Sequence, residues 1–311
     1  MRNGQFGCRG ESGPGAYHFS MLAHLRTLRL AAWLGWQLET NWASPWLFAI
    51  YMLIKPVCGS LMLVCMFYAA RHATGRVPIE FLPYLYISNA CFGLVSTMMF
   101  GLSYAVVRDR EHYRMLKYVY ISPAHFQTYF LGRGAARGLE GTIGGVINIA
   151  VGLFLFADLR GSIRVDLAWL AVYLLIGALM LWACGMILAA ACLNMSRNGM
   201  FLSEGIAGVV YLLSGVVFPL KALPEWIQVI GLSLPTTYWL EGMRRALMGT
   251  HDDPASVPEL LRGPLWEWTN TDLALMLLGT TVALVVAAQL FWRWSERRAW
   301  RNGKLEENAG V

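Results

Sequence analysis

The sequence predicts an all-α integral membrane protein with six transmembrane helices, an N-terminal amphipathic interfacial helix and a re-entrant extracellular hairpin between helices 5 and 6. Of its 311 residues, 57% are hydrophobic and 14% are charged. Windows 81–107 and 167–196 contain no charged residue, and each exceeds the about 20 residues that cross a bilayer. In 211–249 an apolar run breaks at Pro219, and two short proline-started amphipathic pieces follow. At membrane depth, backbone N–H and C=O groups must form hydrogen bonds within the protein, and short helices provide these bonds.

The first 43 residues divide into two parts. Residues 1–16 are rich in Gly and Arg and lack the apolar core of a secretory signal, so we expect a disordered tail. In 17–43, Leu22, Trp33 and Trp36 recur at helical spacing, which is typical of a helix in the headgroup layer. Its arginines, Arg26 and Arg29, would face phosphate or cytosol. The helix could be a plain anchor, or could also touch a cytoplasmic partner.

Apolar windows predict the membrane crossings. They lie at about 46–69, 83–106, 139–157, 167–192, 205–220 and 273–292. The first is interrupted by Lys55-Pro56, and the third has Glu140 at its start. A charge at membrane depth is costly and often functional. Lys55 and Glu140 are therefore candidates for a pathway role, although Lys55 could pair with a neighbouring span or reach an aqueous vestibule, and Glu140 could mark the cytosolic boundary.

Basic residues orient the chain. They cluster before the first span, between the second and third, and in 295–311 after the sixth, whereas the alternate loops hold most of the acids. Because cytoplasmic loops carry the excess of Lys and Arg, both termini are expected in the cytoplasm and 295–311 forms a basic cytoplasmic tail. The net charge of +6 then reflects topology in a cell membrane and does not indicate nucleic-acid binding.

The loop 107–123, VRDREHYRMLKYVYISP, mixes both signs of charge and then becomes apolar. Topology alone needs no acids such as Asp109 and Glu111 among the arginines. A charged helical stub with an apolar shoulder would suit docking of a soluble subunit, but a solvated extension of the second span fits equally well.

Catalytic patterns are missing from the sequence. It contains no G-x-x-x-x-G-K-[ST] phosphate loop, no G-x-S-x-G elbow and no C-x-x-C pair. The six histidines form no metal-ligand spacing. We therefore expect no catalytic residue, no metal and no cofactor bound by this chain.

The order of these features resembles the permease subunit of ABC type-2 exporters, such as those for drugs, antibiotics and polysaccharides. The stub RDREHYRMLKYVYISP resembles that family's R-E-R-G-T-x-E-x-L-x-x-S-P, with His112-Tyr113 in place of Gly-Thr. A second block is more specific: SGVVFP at 214–219, LPEWIQ at 223–228 and LPTTY at 234–238, followed by Glu241 and Arg244.

The resemblance implies a six-helix transmembrane domain over 44–294 that works as a homodimer or heterodimer. Separate cytoplasmic ATP-binding-cassette ATPases would bind ATP and Mg and push on a coupling helix at about 107–120. The residues implied in ATPase coupling are Arg108, Asp109, Arg110, Glu111, His112, Tyr113, Arg114 and Lys117, with Arg26 and Arg29 on the interfacial helix. The re-entrant pieces at about 221–249 would form an outer lid with these residues: Phe218, Pro219, Leu223, Pro224, Trp226, Pro235, Tyr238, Glu241 and Arg244.

The cargo class is expected to be an amphiphilic or hydrophobic compound, such as a drug, an antibiotic, a lipid or a glycan precursor. Two other functions stay open. A secondary transporter would predict an inverted repeat, and none is evident between the halves. A membrane-embedded lipid-modifying enzyme would need a polar catalytic cluster.

Overall fold

The computed structural model describes residues 16–41, 44–75, 77–122, 126–195, 199–249 and 263–301. Within these ranges every regular element is helical. The helices are α1 (Ala16–Thr40), α2 (Pro45–Thr74), α3 (Phe81–Val95), a π-helical turn (Ser96–Phe100), α4 (Gly101–Glu111), α5 (Leu116–Ile121), α6 (Phe126–Leu155), α7 (Ala157–Ser162), α8 (Leu167–Asn194), α9 (Gly199–Leu213), a 3₁₀ turn (Leu220–Ala222), α10 (Glu225–Ser233), α11 (Pro235–Met248) and α12 (Asn270–Arg301). The predicted N-terminal tail, up to residue 15, and residues 302–311 of the predicted basic tail lie outside the described ranges.

Among the described residues, five helical segments are long and apolar enough to cross a membrane. They are Trp46–Thr74, Phe81–Glu111, Phe126–Leu155, Leu167–Asn194 and Asn270–Ala299. The crossing expected at 205–220 corresponds to α9, which has 15 residues and ends at Leu213. At 1.5 Å per residue α9 spans roughly 22 Å, which is less than the hydrocarbon thickness.

Two helix bounds differ from the sequence expectation. Pro56 lies inside α2, and the helix is continuous from Pro45 to Thr74, so Lys55-Pro56 does not interrupt it. Membrane helices tolerate proline because neighbouring groups can satisfy the freed carbonyl. The third span belongs to a longer helix, α6, which begins at Phe126.

Six helical segments alternate in direction between two ends of the molecule. At one end, which we call the charged end, Ser103 of α4 contacts Ser203 of α9 at 2.8 Å, and Ser295 of α12 donates to the Ala190 carbonyl of α8 at 2.5 Å. At the opposite end, which we call the hairpin end, Tyr173 of α8 donates to the Asn270 carbonyl of α12 at 3.0 Å. Thus α2, α6 and α9 start at the charged end, and α4, α8 and α12 finish there.

Helix α8 forms the centre of the bundle. Tyr173, Met180 and Leu181 are fully buried, and α8 packs against α4, α11 and α12. In contrast, α2 exposes large apolar side chains, including Trp46 and Met62, along the outside of the bundle.

Helix α1 lies along the first half of α6 and runs parallel to it. His24 of α1 contacts the Thr128 hydroxyl at 3.0 Å. Further along, a Cβ atom at Gly132 would lie 2.6 Å from the Leu28 carbonyl oxygen. Only glycine allows this approach of the two backbones, so Gly132 determines how closely α1 packs on α6.

Candidate functional site

A buried ion pair at the charged end joins α4 to α6. The Asp109 carboxylate accepts hydrogen bonds from the Arg133 guanidinium at 3.0 Å and from the Tyr129 hydroxyl at 2.8 Å. Asp109 and Arg133 are 0% and 1% exposed. Such a pair is stable only with good geometry and added hydrogen bonds, and Tyr129 supplies one. The pair therefore joins α4 to α6 at this end, while Nε and Nη1 of Arg133 are buried without a hydrogen-bond partner among the described residues.

Arg110, the next residue, joins α4 to α8. Its guanidinium donates to the Cys192 carbonyl at 3.2 Å, to the Met195 carbonyl at 2.8 Å and to the Glu111 carboxylate at 2.8 Å. These carbonyls belong to the last turn of α8, where helix ends leave unpaired acceptors and favour a cation. Arg110 is buried, so it acts as a cap on α8.

Glu39, near the end of α1, joins a third helix to this region. Its carboxylate accepts from both Arg108 of α4 and Arg137 of α6. Arg137 also donates to Glu140 at 2.8 Å. The network therefore connects α1, α4 and α6 through two acids and two arginines.

Beyond this network, the chain turns into α5, whose Leu116 is buried in the core while its other face is exposed. Arg114 adopts a left-handed backbone conformation, with φ at 50°, which separates α4 from α5. His112 and Arg114 are exposed, Tyr113 is half-buried, and α5 presents Tyr118 and Ile121, which is 77% exposed. The side chain of Lys117 lies outside the described part of the chain.

The predicted coupling residues thus fall into two groups. Arg108, Asp109, Arg110 and Glu111 lie in the last turn of α4, and two of them are buried in contacts with α6 and α8. His112 and Arg114 follow on the exposed stub, and Arg26 and Arg29 are exposed on α1.

A cavity of about 750 Å³ lies beside this network, between the end of α1, α2, the α3–α4 segment and α6. Both predicted pathway residues, Lys55 and Glu140, line it. Its charged and amide-bearing lining residues are Glu39, Lys55, Asn89, Arg108, Arg137, Glu140 and Asn148. The Lys55 ammonium donates to the Tyr51 hydroxyl at 3.2 Å and lies 5.5 Å from the Tyr51 ring centroid.

One wall of this cavity carries a polar cluster that ties four helices together. The Ser60 oxygen accepts from the Asn89 amide at 2.9 Å and from the Asn148 amide at 2.8 Å. Tyr211 of α9 donates to the Asn89 carbonyl oxygen at 3.1 Å, and Tyr86 donates to Asn148 Oδ1 at 3.0 Å. Hydrogen bonds between helices satisfy polar groups that lipid cannot.

The π-helical turn forms another part of the wall. Ser96 and Thr97 line the cavity, and Thr97 donates to the Gly93 carbonyl at 3.0 Å. Single π-helical turns inside long helices are frequent at functional sites. The turn is the point where α3 and α4 depart from one continuous α-helix.

At the hairpin end, Arg244 anchors α11 to α3. Its guanidinium donates to the Ser88 hydroxyl at 3.1 Å and to the Gly215 carbonyl at 3.1 Å, and it lies 4.5 Å from the Tyr84 ring centroid. Tyr84 donates to the same carbonyl at 2.8 Å. Gly215 has φ at 71°, a conformation that favours glycine and turns the chain after α9.

Glu241 supports this anchor. Its carboxylate pairs with Arg244 at 2.7 Å and with Arg245 at 3.1 Å. Burial raises the pKa of the Glu241 carboxyl, but attraction to Arg244 and Arg245 outweighs burial, so the pKa lies below its ordinary value. Arg245 also donates to the Leu265 and Trp268 carbonyls at 2.6 Å and 2.7 Å.

The other predicted lid residues divide into buried and exposed sets. Pro219 and Tyr238 are buried, and Tyr238 donates to the Leu232 carbonyl at 2.8 Å. Leu223 is half-buried, whereas Phe218, Pro224 and Trp226 are exposed. Pro224 precedes α10 and Pro235 is the first residue of α11, a position that suits proline because the first turn needs no N–H partner there.

Sequence reasoning missed several residues of these contacts. Arg133 and Arg137 belong to the basic cluster between the second and third predicted spans, and their spacing of four places them on one helix face. Glu39, Tyr129, Ser60, Asn89 and Asn148 were not singled out. A polar residue such as Asn148 inside an apolar window is a signal that could have indicated the cluster.

Comparison with known proteins identifies the family. No match to the chain was found among curated proteins. A family model described as ABC-2 type transporter matches residues 29–248, which is more than half of the chain. This range includes the charged network, the cavity and the hairpin anchor. The chain therefore belongs to the ABC-2 type transporter family, whose members are multi-pass membrane permeases for transport and are not themselves catalytic.

Proposed function

We propose that this chain is the membrane-spanning half of an ATP-driven exporter in the cell membrane. Two copies, or one copy and a relative, would enclose the translocation pathway, and a separate cytoplasmic ATPase that binds ATP and Mg would bind each half. The observation that carries the proposal is the connection of the exposed stub to the bundle. Asp109 and Arg110, directly before the stub, are buried in contacts with α6 and α8.

This arrangement suits transmission of force. A subunit that docks on His112, Arg114 and the exposed face of α5 would move the last turn of α4. Because Asp109 is bound to Arg133 and Arg110 to the end of α8, displacement of α4 would be passed to both helices. Packed elements with buried polar contacts shift between discrete arrangements and do not deform continuously. Arg26 and Arg29, exposed on the interfacial helix α1, would add a second docking surface.

Six crossings with both termini in the cytoplasm fit this mechanism. The alternation of α2, α3–α4, α6, α8, α9 and α12 between the two ends supports α9 as a crossing despite its length. Residues 214–217, which follow α9, are mostly buried and would extend it toward the hairpin end. The basic residues of the charged end would then face the cytoplasm.

The hairpin of the 3₁₀ turn, α10 and α11 would be a re-entrant outer lid. Trp239, near the start of α11, contacts Gly177 and donates to the Tyr173 carbonyl at 2.9 Å. Gly177 lies about 15 Å along α8 from its first residue, Leu167. At the other end of α11, the Leu247 carbonyl accepts from Arg164, before α8 begins. This difference in depth supports a segment that dips into the bilayer and returns.

The cavity supports export of an amphiphilic or hydrophobic compound. Its walls combine apolar side chains such as Phe48, Met52 and Phe92 with the charged groups near the charged end. A cavity of several hundred Å³ that joins apolar walls to charged groups suits a drug-sized molecule with both kinds of surface. Drugs, antibiotics, lipids and glycan precursors all have this character.

The proposal is tested by isolating the tagged chain from its own membranes. We expect an ATP-binding-cassette ATPase to co-purify, and we expect substitution of its phosphate-binding lysine to abolish export. Ile121→Glu on α5 should reduce ATPase recovery about tenfold, as expected for a central interface residue. Leu155 is also an exposed apolar residue, but it lies at the hairpin end. Leu155→Glu should therefore leave ATPase recovery unchanged. Isolation of the wild-type chain without any ATPase would refute the proposal.

A further inference from the structure

The charged groups lining the cavity do not balance. Arg108 and Arg137 pair with Glu39, and Arg137 pairs also with Glu140. Both carboxylates of the lining are therefore engaged by arginines. Among the described residues, the Lys55 ammonium donates to the Tyr51 hydroxyl and lies near the Tyr51 ring, and no carboxylate lies within the 4.0 Å of an ion pair from it. The described cavity wall thus carries one positive charge that is not compensated.

The position of Lys55 makes this charge costly. Lys55 lies nine residues after Trp46, where the apolar part of α2 begins, which corresponds to roughly 13 Å along the helix. A cation at membrane depth needs a counter-ion or a water-filled space. The cavity gives Lys55 that space, since Lys55, Tyr51 and Pro56 all face it.

The surroundings of Lys55 are otherwise suited to an apolar molecule. Phe48 and Met52 lie on the same helix, and Phe92 and Gly93 of α3 lie across the cavity. The amide oxygens of Asn89 and Asn148, which also line the cavity, accept from Tyr211 and Tyr86. A ligand would therefore find apolar side chains, one ammonium group without a paired carboxylate and one tyrosine hydroxyl along the α2 side of the cavity.

We infer that the cavity binds an amphiphile with an anionic group, a carboxylate, sulfate or phosphate, that pairs with the Lys55 ammonium while its apolar body lies between α2 and α3. This inference rests on the proposed function only for the direction in which the molecule is moved. An isolated positive charge among apolar walls selects a ligand with both features, because a neutral apolar molecule leaves the charge unpaired and a small anion leaves the walls unfilled.

The test is a fluorescence titration of the full chain in nanodiscs of zwitterionic phosphatidylcholine, with empty nanodiscs subtracted. Anilinonaphthalene sulfonate is the anionic probe, and phenylnaphthylamine is its neutral counterpart with the same aromatic body. Lys55→Met should weaken sulfonate binding about tenfold or more, as expected for loss of a charged partner. Lys55→Arg, which keeps the charge, should stay within about threefold of the wild-type chain. Binding of phenylnaphthylamine should be equal in all three.

Lys221→Met is the matched control, since Lys221 is an exposed lysine that does not line the cavity. It should bind the sulfonate probe as the wild-type chain does. Equal sulfonate affinity of wild type and Lys55→Met would overturn the inference. So would a Lys55→Met variant that binds the sulfonate less tightly only because it no longer forms the dimer. Displacement of the probe by inorganic sulfate beyond that by chloride at equal ionic strength would also overturn it, because the site would then take a bare anion.

The titration needs neither ATP nor a partner, so its failure differs from failure of the proposed function. If an ATPase co-purifies and export continues, but sulfonate binding does not depend on Lys55, only the ligand assignment is refuted. If no ATPase is recovered but binding depends on Lys55, the exporter function falls and the anion site stands.

Discussion

At the scale of single residues, the ion pair of Asp109 and Arg133 is the contact that most directly connects the stub to the bundle. Removal of one partner of a buried pair leaves an uncompensated charge and costs about 3–5 kcal/mol, whereas apolar replacement of both partners costs much less. Asp109→Leu and Arg133→Met should therefore each lower the thermal unfolding temperature strongly, and the double variant should recover much of the loss.

Arg108→Met provides the control for this comparison. The Arg108 side chain is 33% exposed in its pair with Glu39, and partly exposed pairs contribute about 1 kcal/mol or less. Thermal unfolding of the purified chain in one detergent would rank all four variants. Single variants at 109 and 133 no less stable than Arg108→Met would show that the buried pair does not hold α4 to α6.

The burial of Asp109 and Arg110 could not be read from the sequence. The positive-inside pattern depends on how many charges a loop carries, not on where the side chains point. Both residues lie in the last turn of α4. There, side-chain direction rotates by about 100° per residue, so a small change in helix orientation decides whether a side chain faces the cytosol or the bundle. Tertiary contacts with Arg133 and the end of α8 decide it here.

At the scale of helices, Gly132 controls the packing of α1 on α6. A leucine side chain at 132 would overlap the Leu28 carbonyl and the Ala31 Cβ, which lie 2.6 Å and 2.7 Å from the position of an added Cβ. In a chain without native cysteines, a short bifunctional thiol reagent should cross-link a His24→Cys/Thr128→Cys pair, because the two wild-type side chains are in hydrogen-bond contact. Gly132→Leu should abolish that cross-link.

The control for cross-linking is Gly144→Leu, also on α6, where an added Cβ meets no atom within 4 Å. It should leave the yield unchanged. Equal yields for the two leucine variants would mean that α1 is not seated on α6 through Gly132.

The hairpin should show a defined dependence on pH through Glu241. Because its pKa is lowered in the folded chain, its contribution to stability is complete above the ordinary pKa of glutamate and is lost as pH falls through the lowered value. The difference in unfolding temperature between wild type and Glu241→Gln should therefore be largest near neutral pH and shrink below about pH 4.

Glu225 is an exposed acid of α10, and Glu225→Gln should have the same unfolding temperature as wild type at every pH of the same titration. A Glu241→Gln difference that stays constant down to acidic pH would show that the carboxylate charge does not hold Arg244 and Arg245. The measurement is unfolding temperature against pH in a single detergent.

The sequence predicted most helices but not their ends. Apolar windows located α2, the α3–α4 segment, α8 and α12, because lipid imposes a long uninterrupted apolar run. The window for the third span missed the first half of α6, since that half carries charges paired with α1 and α4. The proline pattern likewise located α10 and α11, because Pro224 and Pro235 mark helix starts. The Arg244–Gly215 anchor depends on side chains far apart in the chain and has no local signal.

At the scale of the whole molecule, the network at the charged end and the anchored hairpin occupy opposite ends of the bundle, with the cavity beside the network. The family resemblance carried by 214–244 was confirmed by the match over residues 29–248. The exporter function, the dimer and the cargo were not evident from composition, since lipid-facing and cargo-facing surfaces are both apolar. The charged groups of the cavity come together only when α1, α2, α4 and α6 pack against one another. They narrow the choice of cargo.

If the stub docks the ATPase and the hairpin forms the outer lid, as we propose, the two lie on opposite faces of the membrane. Single cysteines at Arg114 and at Glu225, both exposed, can be tested in a chain without native cysteines in sealed right-side-out vesicles. A membrane-impermeant maleimide should label Glu225→Cys in the sealed vesicles and Arg114→Cys only after permeabilisation. Labelling of both in sealed vesicles, or of Arg114→Cys alone, would contradict the account.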